Sequence, residues 1–315
     1  MFQIKISIVG AGAVGGFFGG LLQKAGHQVT FLARGKHLAA MKKNGLVIKQ
    51  GDERLTVNAV FTDNLNDLSK SQLILFCVKS NDTKQLAKQL LPILNKNVKI
   101  LTMQNGVDNE EVLSEIFGVD RVFSCATYIQ STIEEAGIIK QHGRVKLVIG
   151  EVDSWEREEC SSIVSIFQEA GIDTKHGEKI LENKWSKFLW NVTFNPLSAI
   201  TKAKIGEILD DKDLRKTAES ICSESIKVAL ELGVNLDYEK TIVNIFGNAE
   251  YARTHITSML QDRLNGKTME VESMCGYLVR KAEKLNMKIP TIQTLYSILN
   301  YINWKSKIQG ANKEQ

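Results

Sequence analysis

Over the first ~175 positions, short aliphatic and β-branched runs alternate with stretches of helical period. This is the pattern of βαβ units wound into a parallel sheet. Apolar runs at residues 4–9, 29–33, 73–78 and 99–103 predict strands. A helix is predicted over 14–25, closed by Gly26, with two more over 83–91 and 109–117. Between the second and third strands, runs at 46–49 and 55–60 flank Gly51-Asp52-Glu53-Arg54, which predicts a hairpin insertion. Runs at 122–128, 138–141 and 145–149 predict closing strands, with turns at Gly137 and Gly143. A helix over 156–170 and a short strand over 172–175 complete this part.

After Gly177 the alternation stops. Helical period over 180–194, 214–232, 238–264 and 269–285, and again after Pro290, predicts a second part made of helices. The last residues, 309–315, are expected to fray. The chain therefore divides on paper into an α/β domain, 1–178, and an all-helical domain, 179–315. A site is expected in the cleft between them, at the carboxyl ends of the strands.

Composition narrows the class. A chain of 315 residues, 43% hydrophobic and 24% charged, has enough apolar surface for two cores. The net charge of +4 is spread along the chain, which favours a small anionic partner over nucleic acid. No apolar run reaches the ~18 residues of a membrane span, and the N-terminus runs directly into a strand with no leader pattern. Five scattered cysteines without a CxxC read as reduced thiols of a cytoplasmic protein. Five histidines without HxxxH or HExxH predict no metal site.

The first strand leads into Gly10-Ala11-Gly12-Ala13-Val14-Gly15, a G-x-G-x-x-G pattern placed between a strand and a helix. Gly10 permits the tight turn, Gly12 admits the pyrophosphate to the backbone, and Gly15 lets helix and strand approach. That makes the α/β part a Rossmann-type dinucleotide-binding domain, whose free N–H groups and positive helix end would hold phosphates. An acid that accepts the ribose 2′-hydroxyl of NADH is due at the end of the second strand. Instead Thr30-Phe31-Leu32-Ala33 ends in Arg34, with Lys36 and His37 close behind. An arginine fork pairs with a 2′-phosphate, so the predicted cofactor is NADPH.

In the helical part, Lys187, Asn191 and Asn195 fall at i, i+4 and i+8 among Trp185, Phe188, Trp190 and Phe194. They line one face of a helix that Pro196 is expected to kink or end. A partly desolvated lysine has a lowered pKa, as a proton donor near neutral pH requires. A snorkelling lysine with solvated amides is the alternative that spacing leaves open. Further on, Ser258 offers a hydroxyl that can meet a carboxylate. Glu270, expected to open a helix, can orient a hydroxyl or hold the lysine. Alone, the two read more readily as a surface serine and a first-turn glutamate.

Taken together, these residues resemble the ketopantoate reductases (2-dehydropantoate 2-reductases) over essentially the whole chain. The glycine loop resembles that family's start. Phe76-Cys77-Val78-Lys79 is similar to its third-strand ending, and Gln104-Asn105-Gly106 to its Asn-Gly turn. Lys187, Asn191 and Asn195-Pro196-Leu197 resemble its K-x3-N-x3-N-P-L signature, and Ser258-Met259-Leu260-Gln261-Asp262 with Glu270 its second helical element. The resemblance implies hydride transfer from NADPH to the 2-oxo carbon of ketopantoate, giving pantoate for pantothenate and coenzyme A. By the same resemblance, Lys187 is the proton donor and Glu270 its catalytic companion. Gly10, Ala11, Gly12, Ala13, Val14, Gly15, Arg34, Lys79, Asn105 and Glu270 face the cofactor. Asn105, Lys187, Asn191, Asn195 and Ser258 hold the oxo acid. The implied protein is a monomer or homodimer that closes over a small 2-oxo acid, with no nucleic-acid or membrane partner. Trp190, Phe194 and the stretch 201–206 depart from the family pattern. They keep open a reductase of another branched or aromatic 2-oxo acid. A non-catalytic NADPH sensor is the alternative of a different class.

Overall fold

The computed structural model describes residues 3–152 and 157–311. The chain forms two compact units, Met1–Asn183 and Lys184–Gln315. In chain order the first unit starts with β1 (Lys5–Val9), α1 (Ala13–Lys24), β2 (Gln28–Leu32), α2 (Gly35–Asn44), β3 (Leu46–Gln50), β4 (Glu53–Val57) and β5 (Val60–Thr62). It continues with β6 (Leu73–Phe76), α3 (Ser80–Leu90), β7 (Lys99–Thr102), α4 (Asn109–Phe117), β8 (Val122–Glu135), β9 (Ile138–Glu151), α5 (Arg157–Glu169) and β10 (Thr174–His176).

The strands form one sheet in the order β4-β3-β9-β8-β7-β6-β1-β2-β5, with β10 paired to β9. The run β5-β2-β1-β6-β7-β8 is parallel throughout. This is the doubly wound order, and the switch point lies where β1 is flanked by β2 and β6. Both faces of the sheet are covered. One core holds Phe17, Phe18 and Leu22 of α1 with Phe167 of α5. The other holds Leu90 of α3 with Leu113 and Phe117 of α4.

Several boundaries differ from expectation. The predicted run 55–60 is two strands: β4, antiparallel to β3, and β5, a short parallel strand beside β2. Gly143 makes no chain-reversing turn. β9 runs through it, and the register against β8 jumps from Gln130↔His142 to Tyr128↔Lys146, so Gly143 lies in a bulge. The predicted helix 156–170 is α5, and Glu156 lies outside the described residues.

The helical part comprises α6 (Ile180–Thr201), α7 (Ile205–Asp210), α8 (Lys212–Glu231), α9 (Tyr238–Tyr251), α10 (Ser258–Leu264), α11 (Tyr277–Lys284) and α12 (Pro290–Ala311). The unit division falls inside α6, because buried Ile180 packs with Ala126 and Val148 of the first unit. Pro196 does not end α6, which continues to Thr201. Two of its last carbonyls are taken up by Arg263, whose guanidinium donates to the Ala199 and Ile200 oxygens.

The single helix expected over 238–264 is broken after Tyr251, since the backbone oxygens of Arg253 and His255 receive the Gly206 and Ile205 N–H groups. The expected helix 269–285 begins instead as a π-helical turn, Glu272–Gly276, so Glu270 precedes it rather than opening a helix. Residues 309–311 are helical, and 312–315 lie outside the described residues. No helix among the described residues is long and apolar enough to cross a membrane.

Candidate functional site

In the first unit the site starts at the end of β1. Gly10 has φ +101°, and a Cβ there would lie 2.8 Å from both the Val78 nitrogen and its Cγ1. Gly15 is sealed as tightly: a Cβ would lie 2.3 Å from the Gly10 oxygen and 2.9 Å from the Cys77 Cβ. The same helix face presents Gly19 and Gly20, where a Cβ would strike Phe31 and Ile48. Gly12 is different, because a Cβ there would meet no protein atom within 4 Å. Nothing inside the protein demands glycine at that position. An open backbone at that step of a glycine loop is what the approach of a phosphate requires. Gly12 is also the N-cap of α1, with no side-chain cap and no acid in the first turn, so the N–H groups of the helix start are left to an anion.

Two further turns reach the carboxyl ends of the strands beside this loop. Lys79, half-buried, caps α3 after β6, and Asn105, also half-buried, follows β7. A buried polar brace joins them. Gln104 Nε2 donates to the Val78 oxygen (2.8 Å) and to Thr83 Oγ1 (2.7 Å), and the Thr83 hydroxyl donates to Asn109 Oδ1 (3.0 Å). Asn109 Nδ2 returns to the Asn105 oxygen (2.8 Å) and to Ser80 Oγ (3.2 Å). Every donor in a brace this deep has a partner, which fixes the turns that carry Lys79 and Asn105. Sequence reasoning passed over Thr83 and Asn109. Both stand in polar stretches, Ser80-Asn81-Asp82-Thr83-Lys84 and Asp108-Asn109-Glu110-Glu111, so no local signal singled them out.

Arg34 stands past the end of β2, 88% exposed, with Nη2 2.9 Å from Asp82 Oδ2 in the first turn of α3. Lys36 is exposed, whereas His37 is engaged within the fold, its Nδ1 accepting the Gly137 N–H at 2.9 Å.

In the second unit the predicted stripe lies along α6 with burial that deepens along it. Lys187 and Asn191 are half-buried, and Asn195 is 2% exposed. The Asn195 amide nitrogen lies 3.9 Å from Met274 Sδ, and its buried Oδ1 has no hydrogen-bond partner among the described residues. An unmatched amide oxygen at such depth costs about 1–3 kcal/mol. Lys184, 4% exposed, extends the stripe one step back. The spacing 184, 187, 191, 195 was there in the sequence to be read.

The aromatic neighbours divide between two partners. Trp185 and Phe188 pack on Tyr277. Trp190 packs on His255, and Phe194 on Phe246. The two bulky departures from the family pattern are thus core packing against α9 and its following turn. Burial among these groups lowers the pKa of His255.

Ser258 is exposed as the first residue of α10. Its neighbour Thr257 is buried, caps the helix and hydrogen-bonds Ser198 of α6 (3.3 Å), tying the start of α10 to the stripe helix. Glu270 is half-buried in the segment before the π turn. Asn303 of α12 clamps the adjacent Met269 through both backbone groups (3.0 and 3.1 Å). Asn195 against Met274 brings the end of the stripe to the turn that follows Glu270.

Among the described residues, one mixed group has potential ligand atoms within 4.8 Å of one another: Glu151, Cys160 and His176. Glu151 and His176 are already bonded at 2.8 Å, which ties β10 to the end of β9. Burial, helped by the Glu151 charge, pushes the Cys160 thiol up to about 12.

Comparison with known proteins covers both units. Residues 6–154 match the family model "Ketopantoate reductase PanE/ApbA" and residues 179–303 its C-terminal counterpart. The 2-dehydropantoate 2-reductase of Pyrococcus horikoshii is 31% identical, covering 98% of this chain and all of the relative. The crystal structure of a PanE/ApbA family ketopantoate reductase from Ralstonia eutropha superposes with a TM-score of 0.90 at 29% identity, over 96% of this chain and all of that one. D-mandelate dehydrogenase, solved with NADH and anilino(oxo)acetate, shares the fold at a TM-score of 0.90 and 20% identity, over 96% of this chain and all of that one.

Proposed function

The chain belongs to the ketopantoate reductase family, and we propose that it reduces ketopantoate to pantoate with NADPH as the hydride donor. The observation that carries this reading is the stripe on α6: a lysine and two asparagines at helical spacing, the last with a buried amide oxygen that accepts no hydrogen bond among the described residues. A core of this kind gains nothing from such a group. A polar substrate accounts for it.

The residues of the first unit fit a dinucleotide. Gly12 leaves its backbone open where Gly10 and Gly15 have no room for a side chain, and the start of α1 has no acid. Gly10 to Gly15 would hold the pyrophosphate, Arg34 the 2′-phosphate, and Lys79 and Asn105 the nicotinamide half. When bound, the nicotinamide supplies a hydride to the 2-oxo carbon. Lys187 gives a proton from Nζ to the carbonyl oxygen, so that the alkoxide leaves as a hydroxyl. Asn191 and Asn195 orient the oxo acid, Ser258 meets its carboxylate, and Glu270 holds its hydroxyl. Five free cysteines, four of them buried, suit the reducing cytoplasm.

The test is kcat/KM for ketopantoate, 2-oxoisovalerate and phenylglyoxylate, each with NADPH and with NADH. Ketopantoate with NADPH should give the highest value. A preference for either other oxo acid would overturn the substrate, and NADH outperforming NADPH would overturn the cofactor.

A further inference from the structure

The charge arrangement past β2 contains a residue that the cofactor reading does not use. β2 and β6 flank β1, so the segments leaving their carboxyl ends are neighbours. One delivers Arg34 and the other, through the first turn of α3, delivers Asp82, and the two meet at 2.9 Å. Asp82 is the acid of that turn, and its side chain is 44% exposed. The carboxylate that a NADH-binding strand supplies at its own end is thus supplied here from the opposite wall, beside the arginine that suits NADPH.

We propose that Asp82 sets the cofactor preference of this protein by opposing Arg34: its carboxylate repels the 2′-phosphate of NADPH and accepts the 2′-hydroxyl of NADH. The proposal rests on the reading of Arg34 as the 2′-phosphate partner. Arg34 offers five donors, and Asp82 engages one edge of the fork. A 2′-phosphate, near −2 at pH 7, that takes the remaining donors is separated from the carboxylate by a single guanidinium, within the Debye length of about 8 Å at physiological salt. Asp82 therefore weakens NADPH while giving the ribose hydroxyl of NADH an acceptor. A purely structural ion pair would do neither, and exposed pairs of this kind add little to stability.

The experiment is fluorescence titration of both reduced cofactors into the unaltered protein, Asp82→Asn and Arg34→Ala, at about 0.05 and 0.5 M salt. Asp82→Asn should tighten NADPH roughly three- to sevenfold at low salt. It should weaken NADH about twofold as a charged acceptor becomes neutral. The gain for NADPH should shrink at high salt. A ratio of NADPH to NADH affinity that stays constant or falls in Asp82→Asn overturns the proposal, since a fall would mean that Asp82 holds Arg34 in place for the phosphate. Arg34→Ala separates the two readings. If it abolishes the NADPH preference while Asp82→Asn changes nothing, the proposal alone fails. If Arg34→Ala leaves the preference intact, the 2′-phosphate reading of Arg34 fails first and the Asp82 proposal with it.

Discussion

Two glycines three residues apart should respond to the same substitution in opposite ways. At Gly15 an alanine methyl would lie 2.3 Å from the Gly10 carbonyl oxygen, 2.8 Å from Ile8 Cγ2 and 2.9 Å from Cys77 Cβ. The first of these is a backbone atom and the third is a Cβ held by its own backbone directly after β6, so neither can swing away. Overpacking of this severity costs about 3 kcal/mol. At Gly12 the methyl would meet no protein atom within 4 Å, and φ of −76° suits any residue. Loss of a preferred N-cap residue and the smaller entropy of the unfolded chain nearly cancel there, leaving stability within about 0.5 kcal/mol of the original. That methyl would occupy the approach of the pyrophosphate, so NADPH affinity should drop at least about tenfold, or 1.4 kcal/mol. Urea unfolding followed by circular dichroism reads the first quantity and cofactor fluorescence titration the second. If Gly12→Ala destabilises as much as Gly15→Ala, or binds NADPH normally, the assignment of Gly12 to the cofactor is wrong.

Lys187→Ala should lower kcat by about 10²–10⁴ while the Kd for NADPH stays within about twofold. Near-normal turnover in a stopped-flow assay would remove Lys187 from the proton transfer. Burial lowers the pKa of His27 and of His255, so both imidazoles take up a proton less readily in the folded protein than in the unfolded chain. Their contribution is fully present above the ordinary value near 6.5 and is lost as pH falls through the lowered folded values. Melting temperature should therefore decline from pH 7 towards pH 5, and His27→Asn with His255→Gln should flatten that decline. An unchanged slope in the double variant would place the acid sensitivity elsewhere.

What the sequence makes legible is what local chemistry decides. β1, α1 and the glycines between them follow from an apolar run, a helical period and residues without side chains, and the structure bears these out to within a residue. β5 was lost because three residues are too few to carry a period. Its strand character comes from pairing with Thr30, Phe31 and Leu32 of β2. The break after Tyr251 has neither glycine nor proline to announce it, and exists because Arg253 and His255 lend their carbonyls to the start of α7. Pro196 is the third case. The local rule kinks or ends a helix there, and buried neighbours on both sides with the Arg263 guanidinium on the last carbonyls carry α6 beyond it to Thr201. Tertiary bonds formed by residues far apart in sequence overrode the local signal in each case.

The glycine loop of the first unit and the polar stripe of the second are built on opposite principles, and this decides how each tolerates change. The glycine loop works by leaving atoms out: Gly10 and Gly15 have no room for a Cβ, and Gly12 leaves its backbone open. Such a device is cheap to keep folded and intolerant of any addition. The helical half works by adding polar atoms where a core would prefer none, and Asn195 Oδ1 is the extreme instance. That device carries a standing penalty of about 1–3 kcal/mol, offset by the aromatic packing of Trp185, Phe188 and Phe194 around the same helix. The bulky residues that depart from the family pattern therefore need no larger substrate to explain them. Their rings are spent on Phe246 and His255, where they support the helix that must hold a lysine and two amides in line.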